Sequence, residues 1–543
     1  MAAIASARTI VRSDASTTAT SPAARNLWAI ALTVTMATFM ELLDTSISNV
    51  SLPHIAGGLG TSYDESTWIL TSYLVANAVI LPMSAWLSRV FGRKRYYMAC
   101  VAIFTISSVL CGVASSLGVL VVCRIMQGVG GGGLAPVEQA ILVDTFPGTK
   151  RAAAFALYSM AIVTAPAIGP ILGGWITDSF SWRWIFFINL PLGAISLFLT
   201  SRLVSDPPAF TQEVARARQA GRLRIDYLGI ALIGVGLGCL EVVLDRGQRE
   251  DWLQSPFIAA FLVIAVASLG AAVVWELHHD DPVVEVSLLK NRNFALASSF
   301  FFLLGVVLFG STALVPQLLQ SLYGYTATDA GFVLGPGAFV IVVMAPVVVR
   351  LVKRIPVAAL ISIGYVVLAL ALSYFASFNL ATDYGHESLA RVIQGFGFAF
   401  LFTPVSQLAY SYIPQSKNNK ASSLTNLFRN LGGSVGIALV TTMMERRAQF
   451  HQSVLVTHLT SGDPAWQTAA AGATERLVAF GYTTVDAAAR APALIAGTLH
   501  QQTTLLGALD CFWLLAALSM VGPALAIWIR PFDQTGAGRS GGH

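Results

Sequence analysis

The chain has 543 residues, 55% of them hydrophobic and 11% charged, with a formal net charge of +5, whereas soluble domains carry roughly 25% charged residues. That composition excludes a soluble enzyme, because no packed globule hides so much apolar surface. It asks instead for a bilayer, where each helical span needs about 20 mostly apolar residues.

In chain order, residues 1–26 lack the apolar core of a cleavable signal and read as a disordered cytoplasmic tail. Apolar runs follow at 27–52, 66–88, 97–115, 117–143, 153–176 and 183–203, which makes six candidate spans. A second series occupies 227–245, 254–275, 294–320, 327–350, 355–376, 386–412, 420–445 and 503–529, for a total of 14. An even count puts both ends on one face and alternate loops on opposite faces. Of the 33 basic residues, 23 then fall on the face shared by the termini and 7 on the other. The positive-inside rule makes the shared face cytoplasmic. The net charge therefore reflects topology, and no nucleic-acid surface is expected, since no basic cluster carries interleaved aromatics. All five cysteines fall within spans, so neither a disulfide framework nor a metal site is expected.

The fourth span contains RIMQGVGGGGLAP, residues 124–136, whose Gly128, Gly130 and Gly133 match the spacing of a dinucleotide-binding turn. The fingerprint needs a strand before it and a helix after it, and here it lies roughly 16 Å inside a membrane helix. Gly128 and Gly132 are spaced to let two helix backbones approach closely, and no nucleotide cofactor is expected.

The stretch RIMQGVG has an echo, RVIQGFG, at 391–397, and the same offset of 267 carries Pro147 onto Pro414, Lys150 onto Lys417 and Gly169 onto Gly436. This is a duplication in which the fourth and twelfth spans correspond. The spans at 227–245 and 254–275 must then be inserted between two six-helix halves. The expected fold is an all-α integral membrane protein of major-facilitator architecture, with a substrate site near the midplane between halves. The domain boundaries are 27–203 for the first half, 204–293 for the linker and inserted pair, and 294–529 for the second half, followed by a cytoplasmic tail at 530–543.

An ionisable residue in mid-bilayer costs about 2.5–3.5 kcal/mol on insertion scales, so each is a functional candidate. The acidic candidates are Glu41, Asp44, Glu138, Glu241 and Asp510. Asp44 lies roughly 12 Å below the outer end of the first span and Arg124 roughly 10 Å below that of the fourth, so the two are placed to pair, with a proton competing for the carboxylate. Glu41, three positions earlier, shares the helix face of Asp44 and brings a second carboxylate into low dielectric. Asp510 is expected at a similar level in the other half. Glu138 lies some 21 Å inward of Arg124, near the cytoplasmic mouth, as a gate or a solvated group. Glu241 and Asp245 are expected to face solvent at the outer end of an inserted helix. Arg391 is expected to snorkel outward, and Arg429 is deeper, with no evident partner.

These residues resemble, over nearly the whole chain, the fourteen-span drug:proton antiporters of the major facilitator superfamily, the EmrB/QacA subfamily. LDTSISNVSLP at 43–53 is similar to that subfamily's first-helix motif, with Asp44 at its acidic position. RIMQGVGGGG is similar to the fourth-helix motif, whose arginine the resemblance implicates in proton transfer. APAIGPILGG at 165–174 resembles the antiporter motif GxxxGPxxGG, with Ala165 for its first glycine and with Gly169, Pro170, Gly173 and Gly174 in place. WRWIFFINLPLG at 182–193 and LDRGQREDW at 244–252 are further matches. The cytoplasmic motif departs from the pattern. Arg89 stands at the usual Asp and Val90 at the usual Arg, while Gly92, Arg93 and Lys94 match, so the latch ascribed to that aspartate is in question.

The resemblance implies export of amphipathic compounds across a bacterial inner membrane in exchange for protons. Phe39, Trp68, Tyr73, Phe398 and Phe402 are candidates to line the path, with packing or lipid contact as the alternative. Residues 447–502 form a long external segment that contains an amphipathic helix. Such an extension resembles exporters that hand substrate to a periplasmic adaptor and an outer-membrane channel; a lid touching no partner is the alternative. A dedicated exporter or importer of one metabolite would share every feature above. An enzyme is not expected, since no metal spacing, nucleophile elbow or soluble domain is visible.

Overall fold

The structure, a computed structural model, describes residues 26–531 apart from 207–210, 213, 215–225, 280–281, 415–416, 458 and 460–462. The expected N-terminal tail, nearly all of the C-terminal one and most of the linker after 206 lie outside the described residues. Among the described residues there are helices and connecting turns and no strand.

Fourteen long helices are present: α1 Leu27–Val50, α2 Trp68–Phe91, α3 Arg93–Gly112, α4 Leu117–Thr145, α5 Gly148–Ser179, α6 Trp184–Leu203, α7 Tyr227–Arg246, α8 Pro256–His278, α9 Arg292–Leu322, α10 Ala327–Leu351, α11 Val357–Phe375, α12 Tyr384–Ala409, α13 Asn418–Val456 and α14 Thr484–Ala526, the last with one break near Met520. Thirteen are long and apolar enough to cross a membrane by composition alone. The exception is α13, which buries Asn418, Asn419, Ser422, Ser423, Thr425, Asn426 and Arg429. Its polar residues face other helices and not lipid, so its low hydropathy marks an interior position. At the other extreme, α8 exposes Val263, Val266 and Val274, as a lipid-facing helix does.

The repeat in the sequence is also a repeat in packing. Gly128 of α4 lies against the Tyr73 carbonyl of α2, and Gly395 of α12 lies against the Gly337 carbonyl of α10. Gly169 of α5 abuts Ser46 of α1, and Gly436 of α13 abuts the Val306 backbone of α9. At each position a side chain would strike the neighbouring helix, which is why glycine stands there. The Tyr97 hydroxyl of α3 donates to the Val34 carbonyl of α1 at 2.7 Å, and Tyr365 of α11 donates to the Phe300 carbonyl of α9 at 2.7 Å. Two six-helix bundles thus share one internal plan, with α7 and α8 outside both. They meet where α5 packs on α10 and α2 on α13.

The inserted helix α7 packs on α2 and also touches α13. Glu241 does not face solvent as expected: it is 3% exposed and accepts from Ser434 at 2.7 Å, whereas Asp245 is exposed, as expected, and accepts from Thr71. Both lie on the stripe of α7 that covers the seam between the halves, a position invisible to depth counting.

Two helices outrun the expected spans. At 39 residues α13 is roughly 58 Å long at 1.5 Å per residue, against a hydrocarbon core of about 30 Å. The continuous part of α14, 36 residues, is comparable. The segment at 447–502 is therefore largely the projecting ends of these two helices, with a further helix, Pro464–Ala479, packed against α14.

Candidate functional site

The polar centre of the first half is built on α1, α4 and α6. Arg124 is fully buried, and its Nη1 donates to Asp44 Oδ2 at 2.6 Å and to Gln127 Oε1 at 2.8 Å, while Nε donates to the Ile69 carbonyl at 3.2 Å. Gln127 Nε2 returns a bond to Asp44 Oδ1 at 3.0 Å, and Asn189 Nδ2 donates to the same oxygen at 2.7 Å. The Tyr73 ring lies 4.5 Å from the guanidinium carbon. Asp44 therefore accepts one charge-assisted bond and two neutral ones. The Arg124–Gln127 spacing places both side chains on one face of α4.

One turn back along α1, Glu41 is buried and accepts from Asn77 at 2.8 Å and from the Tyr73 hydroxyl at 3.2 Å. Tyr73 thereby links the Glu41 site to the Arg124 site. Glu138 is neither solvated nor at an open mouth: it is buried, bonded to Thr35 through one oxygen, with the other unpaired. The cause is the packing of α4 on α1 in a closed interior. Arg429 does have a partner. Its Nη1 donates to the Tyr158 hydroxyl of α5 at 2.7 Å, across the two halves, and its charge is felt by Glu41 and Glu138.

Asp510 is not brought to this centre. Arg447 donates to it at 2.6 Å and His451 lies 2.8 Å away, where α13 and α14 run on past the bundle, and its side chain is 27% exposed. Trp68 also stands apart, 37% exposed under the Arg246 guanidinium at 4.3 Å. Phe398 and Phe402 are buried in the main apolar core, and Phe39 is partly buried against the α1–α6 cluster. Arg391 does not snorkel: it is 6% exposed, inside α12, bonded to Gln394.

Of the motif glycines, Gly169 and Gly173 press α5 onto Ser46 and Ile47 of α1, two and three residues from Asp44, and Pro170 lies within the same helix. The Gly174 carbonyl accepts from Thr177 at 3.1 Å. At the face carrying the helix ends nearest both termini, Gly92 turns the chain between α2 and α3 with φ of 87°. Arg93 pairs with Asp144 of α4, while the Lys94 amide donates to Asp206 at 2.8 Å and its ammonium to the Ser201 carbonyl at 2.6 Å. Asp144 in turn accepts from Asn418 of α13 at 3.0 Å. Asp144 thus ties this loop across the halves. Asn419 donates to Ser88 at 3.1 Å and Ser423 to the Leu81 carbonyl at 2.8 Å, so the two halves are closed together on this face.

Gln127, Asn189, Asn77, Tyr158 and Asp144 went unnoticed in the sequence. Gln127 carried a signal, since it repeats as Gln394 at the offset of 267, and Asn189 lies within the motif at 182–193. Among the described residues, no group of three His, Cys, Asp or Glu side chains is placed to hold a metal ion.

Residues 34–437 match the model of the Major Facilitator Superfamily. The chain is 35% identical over 513 residues to the multidrug export protein EmrB of Escherichia coli strain K12, covering 94% of this chain and 97% of that one. It is 35% identical over 514 residues to the fatty acid resistance protein FarB of Neisseria gonorrhoeae, with the same coverage of 94% and 97%. Among solved structures, the human organic anion transporter MFSD10 superposes with a TM-score of 0.58 at 13% identity, over 92% of this chain and 99% of that one. The proton:xylose symporter XylE gives 0.57 at 14% identity, over 92% and 94%.

Proposed function

The chain belongs to the major facilitator superfamily, among its EmrB-type multidrug export proteins, and from that premise we propose that it expels amphipathic compounds across a bacterial inner membrane in exchange for protons. It is a multi-pass membrane transporter for small molecules. The observation that carries proton coupling is the buried Asp44–Arg124 pair at 2.6 Å. With the pair intact, α1 and α4 are held together. A proton reaching Asp44 from outside neutralises it, frees Arg124 and loosens that contact, while Glu41, joined to the pair through Tyr73, is the next acceptor inward. One charge crossing 100 mV supplies about 2.3 kcal/mol, and one pH unit about 1.4.

In this mechanism both termini are cytoplasmic and residues 27–203 and 294–529 move as two bodies. Substrate passes between them beside Glu138, Arg429 and Tyr73, with Phe398 and Phe402 behind the path. The glycines of α5 let α1 shift during the exchange, and the Arg93–Asp144–Asn418 chain is the cytoplasmic gate. The projecting ends of α13 and α14, with the helix Pro464–Ala479, form a dock for a periplasmic adaptor leading to an outer-membrane channel.

The test is proton release from energised inverted vesicles on adding cationic, neutral and weakly acidic drugs, in the wild type and in Asp44→Asn. Release by several unrelated compounds, lost in the variant, is expected. Release unchanged by the substitution would move the coupling site away from Asp44, and silence across the panel would favour a transporter dedicated to one metabolite. An adaptor that co-purifies with the full chain, and is lost when 457–483 are replaced by a short linker, is the expected result for the dock.

A further inference from the structure

The duplication extends to the polar centre itself. At the offset of 267, Asp44, Arg124 and Gln127 correspond to Ser311, Arg391 and Gln394. The second half repeats the bonding of the first: Gln127 Nε2 donates to Asp44 at 3.0 Å, and Gln394 Nε2 donates to Ser311 Oγ at 2.9 Å. Arg124 donates to the side-chain Oε1 of Gln127, and Arg391 donates to that of Gln394. What differs is the acid. Serine stands where the first half has a carboxylate, and its side chain carries a neutral hydroxyl and is smaller by one carbonyl group.

Arg391 is consequently a cation without a countercharge. It is 6% exposed, its Nε has no hydrogen-bond partner, and among the described residues no carboxylate stands within ion-pair distance of it. Glu387, one turn away on the same helix, faces Tyr325 and makes no ion pair with Arg391. A guanidinium does not lose its proton in a protein, and a buried charge without a partner is strongly unfavourable. In the first half that problem is solved by Asp44.

We infer that the Ser311–Gln394–Arg391 cluster in the second half is a binding site for a small monovalent anion, which takes the place that the Asp44 carboxylate holds in the first. Its ligands are the Arg391 guanidinium and the Ser311 hydroxyl, with Gln394 orienting both. Two sources supply such an anion: free chloride, or the carboxylate head of an amphipathic compound. The inference does not depend on drug export, only on the repeat and on the unpaired arginine.

The experiment measures the thermal unfolding of the full chain in lipid nanodiscs at constant ionic strength, with bulky isethionate replaced stepwise by chloride, formate or hexanoate. A saturable rise in Tm of a few degrees is expected in the wild type. In Ser311→Asp the arginine receives a tethered carboxylate, and in Arg391→Gln the charge is gone, so the anion dependence is expected to vanish in both. A response to chloride and formate identifies the free ion; a response to hexanoate alone identifies the head of a larger ligand. A wild-type Tm indifferent to all three anions overturns the inference, whether or not the variants fold. So does an anion response retained in either variant.

Discussion

Arg124, a guanidinium buried among membrane helices, donates to a carboxylate, an amide oxygen and a backbone carbonyl, each at its own angle. Lysine offers a point charge on a flexible stem and cannot serve three acceptors in one fork. Arg124→Lys is therefore expected to insert and fold but to lose at least about tenfold in drug-stimulated proton flux, equivalent to roughly 1.4 kcal/mol. Arg124→Ala leaves Asp44 charged and buried and is expected to cost about 3–5 kcal/mol in stability. Flux assays and melting curves on the two variants separate these effects, and equal flux in the lysine variant and the wild type would refute the fork. A second residue outside the spans makes a pH prediction. Burial raises the Glu285 carboxyl, but hydrogen bonds and charge from Lys417 and Lys420 outweigh it and hold the group below its ordinary 4.5. A depressed carboxyl contributes stability above its unfolded value and loses it as pH falls through the folded one. The wild type is expected to melt above Glu285→Gln at neutral pH, with the gap closing as the pH drops below about 4.

At the scale of elements, glycine decides which helices touch. A Cβ on Gly169 would strike the Ser46 hydroxymethyl group, which donates to the Pro166 carbonyl at 3.2 Å, and so would separate α5 from α1 beside Asp44. Gly169→Val is expected to remain in the membrane at near-normal abundance while losing most transport, and a fully active variant would show that the contact is not needed. Much of this layer was legible in the sequence. Apolar runs located all fourteen helices, and one repeated heptad, RxxQGxG, paired the halves. What depth counting could not supply was azimuth. Glu241 and Arg391 were placed at plausible depths but on the wrong side of their helices, toward water and not toward α13 or Gln394. The two longest helices were cut short for a related reason: their projecting turns carry polar residues, which end an apolar run without ending a helix.

At the scale of the whole molecule, the polar bonds that span the two halves are unevenly distributed. Asn418 to Asp144, Asn419 to Ser88, Ser422 to the Pro136 carbonyl and Ser423 to the Leu81 carbonyl all gather at the end of the bundle where α13 begins. Further in, Arg429 and Asn426 meet Tyr158. Beyond that level α5 and α10 meet through the apolar contact of Ile171 with Gly331. Apolar faces slide and part with little directional penalty, whereas each of these hydrogen bonds must be broken as a unit for the closed end to open. Opening that end should therefore be the step that a tether across it blocks. Ser88→Cys with Asn419→Cys, in a Cys239→Ser background, places two thiols at the closed seam while the remaining native cysteines stay buried. Oxidation by copper phenanthroline, which takes up the two electrons and two protons released, is expected to join them as a disulfide and reduce drug-stimulated flux at least about tenfold, with recovery on reduction, because a two-state carrier held in one state cannot exchange. Undiminished flux in the crosslinked protein would mean that the seam does not open during transport, and the moving interface would then have to lie elsewhere.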